Sequence, residues 1–98
     1  MKITRDNPKW KTVEKQLQLP KRFKWKVFPT NHALSQATTR KLFIPHEIQF
    51  TQNQIDFVEL KDNKPQTVGV GLKAYKDVKI VYVFSCQSNT LVTVYKEE

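Results

Sequence analysis

The stretch over residues 77–86, Asp-Val-Lys-Ile-Val-Tyr-Val-Phe-Ser-Cys, constrains the fold more than any other part of the chain. In an extended conformation successive side chains point to opposite faces, so Tyr82 and Phe84 would lie on one face and Val81 and Val83 on the other. A strand that is apolar on both faces needs burial on both sides. The pattern therefore predicts the central strand of a sheet.

The segments around this strand predict the rest of an antiparallel sheet. Residues 55–60 are typical of a strand that ends in a turn over 61–65, and residues 87–90 predict a hairpin turn before a last strand at 91–95. In residues 67–74 the apolar residues share one face, whereas both glycines of the chain, Gly69 and Gly71, share the other. Because glycine has no side chain, we expect another element to approach that face closely.

The first half of the chain predicts helices and an amphipathic strand. Asn7-Pro8 favours a helix start, and apolar residues at helical spacing predict a helix over 8–18. In residues 22–28 basic and apolar side chains alternate as far as Lys26, which predicts a strand with an aromatic inner face and a cationic outer face. Residues 46–54 fit either one helical turn after Pro45 or a short strand. Together with a second helix over 31–42, these segments predict the α+β class.

The positive charge is concentrated in the first half of the chain. Of the net charge of +8, residues 1–45 contribute eleven Lys and Arg against two acidic residues, whereas residues 46–98 hold six Lys and seven acidic residues. This asymmetry predicts one face that meets a polyanion, with an acidic protein or an anionic membrane as alternatives to nucleic acid. For the strand at 22–28, a solvated edge protected by lysines is an equal alternative. The predicted RNA-binding residues are Lys9, Lys11, Lys15, Arg22, Lys24, Lys26, Gln36 and Lys41.

Composition disfavours several other classes of protein. One cysteine, Cys86, cannot form an internal disulfide, which indicates a reducing compartment such as the cytoplasm. No apolar run approaches the roughly 20 residues that span a bilayer, and the N-terminus lacks the apolar block of a secretory signal. One Cys, two His and scattered carboxylates predict no metal site, and two glycines inside a strand predict no nucleotide-cofactor loop.

The helix predicted over residues 31–42 carries the candidate chemistry. His32, Gln36 and Arg40 recur every four residues and so share one helix face. With Thr30 or Asn31 as the N-cap, His32 lies in the first turn, where the helix dipole disfavours the imidazolium form. The residues expected to face the sheet instead are Ala33, Leu34 and Ala37.

Metal-independent RNA cleavage needs a base, a cation for the phosphorane oxygens and an acid for the leaving oxygen. We assign His32 as base or acid, and Arg40 and Lys73 to the phosphate. Thr93 and Tyr95 are candidates for substrate positioning or proton relay. The alternative is an ordinary solvated helix face, on which one His, one Gln and one Arg are common.

Three short segments resemble a known family. Residues 30–40 followed by Ile44-Pro45 resemble the "His-Ala … Arg … Arg-x-Ile" helix of small toxin-like domains in the barnase, EndoU, colicin and RelE superfamily of ribonucleases. Residues 91–95 resemble the "Val-Thr-Val-Tyr" strand that closes such domains, and residues 68–73 are similar to a strand that often ends in a basic residue there. Gln36 stands where a second Arg is frequent in the family.

The resemblance covers residues 30–96 and implies helices packed on a curved antiparallel sheet, with RNA as substrate. Residues 1–28 are then a basic extension of a single domain. The sequence leads to one main hypothesis: a small metal-independent endoribonuclease, toxin-like or encoded by a phage or mobile element, with a neutralising acidic protein as a further expected partner. The alternatives are a nucleic-acid-binding module without catalysis and a basic inhibitor that docks on an acidic host protein.

Overall fold

The computed structural model describes residues 1–17, 22–75, 77–88 and 90–97, without the side chains of Arg22, Phe23 and Tyr75. It confirms the α+β class. In chain order the elements are β1 (Lys2–Thr4), α1 (Trp10–Leu17), β2 (Arg22–Lys26), β3 (Phe28–Pro29), α2 (Asn31–Arg40), β4 (Glu47–Thr51), a 3-10 turn (Gln52–Gln54), β5 (Ile55–Lys61), β6 (Lys64–Tyr75), β7 (Val78–Ser85) and β8 (Thr90–Glu97).

Six strands form the main sheet, in the order β1-β5-β6-β7-β8-β3. Neighbouring strands are antiparallel except β3, which runs parallel to β8. Strands β2 and β4 pair separately as an antiparallel ribbon. The ambiguous residues 46–54 therefore form a strand before the 3-10 turn, and the strand expected at 22–28 divides into β2 and β3.

One face of the main sheet is covered by α1, the β2–β4 ribbon and α2. We call these three elements the covering layer. Trp10 of α1, Phe50 of the ribbon and Ala33 of α2 all join the cluster that contains Phe84 of β7, which is fully buried. Ile3 of β1 belongs to the same cluster, so described residues of segment 1–28 contribute to this core.

The second helix follows its prediction with one exception. Thr30 is the N-cap, and its Oγ1 accepts a hydrogen bond of 3.1 Å from the backbone N–H of Ala33. Ala33 and Ala37 are buried as expected. Leu34 is not: 47% of its surface is exposed, because it lies beyond the edge of the narrow apolar stripe that faces the sheet. No helix in the described ranges is long and apolar enough to cross a membrane.

The opposite face of the sheet, which we call the open face, carries a smaller cluster made by sheet residues alone. Phe57, Val81 and Val83 are buried there, with Tyr95 packed against them. The pairing shifts register between Ile55 and Phe57, as in a β-bulge, and Asp56 is the extra residue.

The two glycines of β6 explain how this face is buried. A Cβ at Gly69 would overlap the Phe57 ring, and a Cβ at Gly71 would meet Lys79 Cδ at 2.7 Å and the Asp56 carboxylate even closer. The sequence predicts close approach of another element at the glycines, and the structure shows it. The approaching groups are side chains of β5 and β7, the two strands that pair with β6, so the sheet covers itself.

Gly69→Ala is expected to lower the free energy of unfolding by about 1–3 kcal/mol, because the new methyl group overpacks against the Phe57 ring. Chemical denaturation of Gly69→Ala, Phe57→Leu and the double variant measures this coupling. The double variant should lose clearly less than the sum of the single variants. Additive losses would show that the ring and the glycine do not constrain each other.

Candidate nucleic-acid interface

Helix α1 presents a basic side to solvent because its apolar residues face the sheet. Trp10 and Val13 are buried, and the Trp10 indole N–H donates to the Glu14 carboxylate at 2.8 Å. The predicted binding residues on this helix and at its start, Lys9, Lys11 and Lys15, are all exposed. Asn7 Oδ1 accepts from the backbone N–H of Lys9 at 2.9 Å, which starts the turn.

The ribbon confirms the amphipathic strand predicted from alternation. The Trp25 ring packs edge-on against Phe50 and Phe84, with centroid separations of 5.2 and 5.3 Å. Lys24 and Lys26 alternate with it and are exposed. The side chain of Arg22 lies outside the described part of the structure.

Lys24 also contacts a carboxylate across the ribbon. Its Nζ lies 3.5 Å from Glu47 Oε1, and both side chains are largely exposed, at 60% and 42%. An exposed pair of this kind stabilises a protein by only about 0–1 kcal/mol. A phosphate can therefore replace Glu47 as the partner of Lys24 at small cost.

On helix α2, the face that carries His32, Gln36 and Arg40 is only partly free for a ligand. His32 is exposed in the first turn and Gln36 is half-buried. Arg40 Nη1 donates a 2.7 Å hydrogen bond to the backbone oxygen of Val94. Arg40 thus protects the edge of β8, where β3 no longer pairs with it, and this second role was not visible in the sequence. Lys41, the C-cap, has a left-handed backbone (φ 56°) and an exposed side chain.

The remaining candidates for catalysis lie on the open face of the sheet. Lys73 of β6 shares the side of Gly69 and Gly71, and Thr93 and Tyr95 pair with Val83 and Val81. The structure therefore separates the predicted catalytic set. His32 and Arg40 belong to the covering layer, whereas Lys73, Thr93 and Tyr95 lie on the far side of the sheet.

The open face holds a charged cluster that the sequence did not reveal. Lys79 Nζ lies 2.8 Å from Asp56 Oδ2 and 3.6 Å from Glu97 Oε1. The contact with Asp56 raises the pKa of Lys79, and Glu97 adds to this. Burial, then the negative charges of Glu97 and Asp56, raise the pKa of Tyr95 above its usual value. The cluster lines a depression of about 370 Å³. The only sequence signal for it was the pair of glycines, since the bulge that turns Asp56 to this face leaves no pattern.

Other reactive groups are scarce in the described residues. Cys86 is half-buried against the core, and burial raises the pKa of its thiol. Among the side chains that the structure describes, no three of His, Cys, Asp and Glu gather as metal ligands would.

Comparison of the chain with protein-family models, curated proteins and solved structures found no match. No matched relative therefore assigns a function to this chain.

Arg40→Ala is expected to lower the free energy of unfolding by about 1–3 kcal/mol, because it removes a charged hydrogen-bond donor from the Val94 carbonyl. Thr39→Ala is the matched control, since Thr39 is exposed on the same turn of α2. Denaturation curves of the two variants test this. Equal stability of the two variants would mean that the Arg40 contact contributes nothing to the fold.

Proposed function

We propose that this protein binds RNA through the outer side of the covering layer. Residues 7–51, which include all of this layer, hold nine Lys and Arg against two acidic residues, a net +7 out of the total +8. The observation that carries the proposal is that α1, the ribbon and α2 pack on one face of the sheet, so their exposed cations point away from it together. The described cations of this region are all exposed: Lys9, Lys11, Lys15, Lys24, Lys26, Arg40 and Lys41.

The acidic residues of the layer do little to offset this charge. Glu14 accepts the Trp10 N–H and is half-buried, and Glu47 holds only a solvent-exposed pair with Lys24. The outer surface is therefore cationic over three elements, as expected for a protein that tracks a phosphate backbone.

We take nucleic acid in preference to an acidic protein as the partner, because exposed cations spread over three elements match the repeated charge of a phosphate backbone. Most of these cations are lysines, which contact a phosphate as point charges on flexible stems. The choice of RNA over DNA rests on the resemblance of residues 30–40 and 91–95 to a ribonuclease superfamily. An acidic protein partner is tested by the same measurements.

Replacing Lys9, Lys11 and Lys15 together by Gln should weaken RNA binding and flatten its salt dependence. Each lost contact with a single-stranded phosphate reduces the log–log salt slope by roughly 0.7, so three contacts reduce it by about 2. Fluorescence anisotropy of a labelled RNA between low and physiological salt measures both quantities.

The matched control removes the same charge elsewhere. Lys61, Lys64 and Lys96 are exposed on β5, β6 and β8, outside the covering layer, and their replacement by Gln should leave the slope nearly unchanged. If both triple variants lose affinity equally, binding depends on net charge alone and the proposed surface is wrong. If RNA does not bind, an acidic protein becomes the favoured partner.

We propose cleavage of the bound RNA as a second function, because His32 is exposed within the same layer. The helical rise of 1.5 Å per residue puts the backbones of His32 and Arg40 about 12 Å apart. Arg40 would therefore hold a flanking phosphate, while His32 takes the proton of the 2′-hydroxyl as that oxygen attacks the phosphorus. The bond from phosphorus to the 5′-oxygen breaks, and the leaving 5′-oxygen takes a proton from water. Lys73, Thr93 and Tyr95 have no direct part in this version of the mechanism, because they lie on the open face.

His32→Ala should reduce cleavage by about 10²–10⁴-fold, the usual contribution of general acid–base catalysis, and should barely change RNA affinity. The assay is incubation of RNA with the protein and a chelator, followed by analysis for cyclic-phosphate ends. Tyr95→Phe is the companion variant for the open face. Loss of cleavage in Tyr95→Phe but not in His32→Ala would move the chemistry to the open face. Absence of cleavage in the parent protein would leave RNA binding alone.

A further inference from the structure

Two phenylalanines of the described chain are exposed, in contrast to the others whose side chains are described. The exposed fraction is 58% for Phe28 and 76% for Phe43, whereas it is 7% or less for Phe50, Phe57 and Phe84. Single exposed apolar residues are common on protein surfaces. These two differ because both lie within the basic part of the chain, each two residues after an exposed lysine.

Phe28 continues the outward side of the amphipathic strand. Lys24, Lys26 and Phe28 are exposed at alternate positions, whereas Trp25 is half-buried and Val27 is buried between them. The phenyl ring thus follows two cations along one extended stretch. The backbone of Phe28 is held by its pairing with Thr90 of β8.

Phe43 lies in a segment after α2 whose backbone is held by hydrogen bonds and by packing on both sides. The backbone N–H of Leu42 donates to the oxygen of Ala37 at 2.8 Å, and the Tyr82 hydroxyl contacts the oxygen of Phe43 at 3.5 Å. Leu42 and Ile44 on either side pack against the core. The ring therefore projects outward from a fixed backbone, close in sequence to the exposed Lys41.

The two rings lie on neighbouring segments of the surface. The backbone N–H of Val27, next to Phe28, donates to the oxygen of His46 at 2.8 Å. His46 is three residues from Phe43, and three residues span at most about 11 Å. One short ligand can therefore contact both segments.

We propose that Phe28 and Phe43 stack unpaired bases of single-stranded RNA, while Lys26 and Lys41 contact its phosphates. This inference rests on the proposed RNA binding and adds that the preferred substrate is single-stranded. An aromatic side chain beside a cation matches the two parts of a nucleotide, a planar base and a charged phosphate. Proteins that bind single strands combine these groups in this way. In a duplex the bases are already paired and stacked on one another, so no base face is free to stack on the two phenyl rings.

The experiment compares binding of a 12-nucleotide RNA without self-complementarity and of the 12-base-pair RNA duplex of the same sequence. Phe28→Leu and Phe43→Leu should each weaken binding of the single strand by about 5- to 150-fold, the loss expected for one stacked base. Each should change duplex binding less than 2-fold. Phe43→Tyr should keep the parent affinity, because it retains the ring. Leu34→Ala is the control, since Leu34 is an exposed apolar residue of the neighbouring helix α2 and has no ring.

Several outcomes would overturn the inference. Unchanged single-strand affinity in both Leu variants, with weakening still seen in the Lys9, Lys11 and Lys15 triple variant, refutes stacking and leaves the basic surface standing. Equal losses for single strand and duplex refute it as well. Failure of the parent protein to bind any RNA refutes both proposals. Concentration-dependent self-association that Phe43→Leu abolishes would identify the rings as a contact between copies of this chain.

Discussion

Strand β7 has to be buried on both faces, and the rest of the structure depends on how this is achieved. In the described chain, α1, the ribbon and α2 all cover the same face. The other face is covered by side chains of the sheet itself. Because Gly69 and Gly71 have no side chains, those of Phe57 and Asp56 pack directly over β6. Lys2 then lies over the Phe57 ring, with its Nζ 4.3 Å from the ring centroid. Two glycines thus replace a second layer of helices.

Covering one face only has a consequence for the charge of the molecule. Each element of the covering layer directs its apolar residues to the sheet, so its basic residues are left on the outside. The open face is different, because Lys79 there contacts both Asp56 and Glu97 and its charge is largely offset. The outer side of the covering layer therefore carries exposed cations, whereas on the open face two carboxylates offset the charge of Lys79. The two exposed phenyl rings lie next to this layer, on β3 and on the segment that follows α2.

Much of the fold could be predicted from local patterns, because those patterns act over a few residues. Thr30 caps α2 through its own hydroxyl, and β7 has apolar side chains on both faces of the sheet. Both elements were therefore predicted correctly. The candidate site was harder because it depends on which face of the sheet the helices cover, and no local pattern encodes that. Lys73, Thr93 and Tyr95 were assigned to one site with His32 and Arg40 of α2 but lie on the open face. The bulge brings Asp56 against Gly71, 15 positions along the chain, and Arg40 contacts Val94, 54 positions along the chain. A single sequence does not reveal such distant pairs.

The central claim is that nucleic acid meets the covering layer and not the open face. Its most direct test is an NMR titration of ¹⁵N-labelled protein with a short single-stranded RNA at low salt, with backbone amide shifts followed residue by residue. The account predicts large shifts in α1, β2 and the segment from α2 to Phe43, and small ones around Asp56, Lys79 and Tyr95. The largest shifts around Asp56, Lys79 and Tyr95, or shifts spread evenly over both faces, would contradict it.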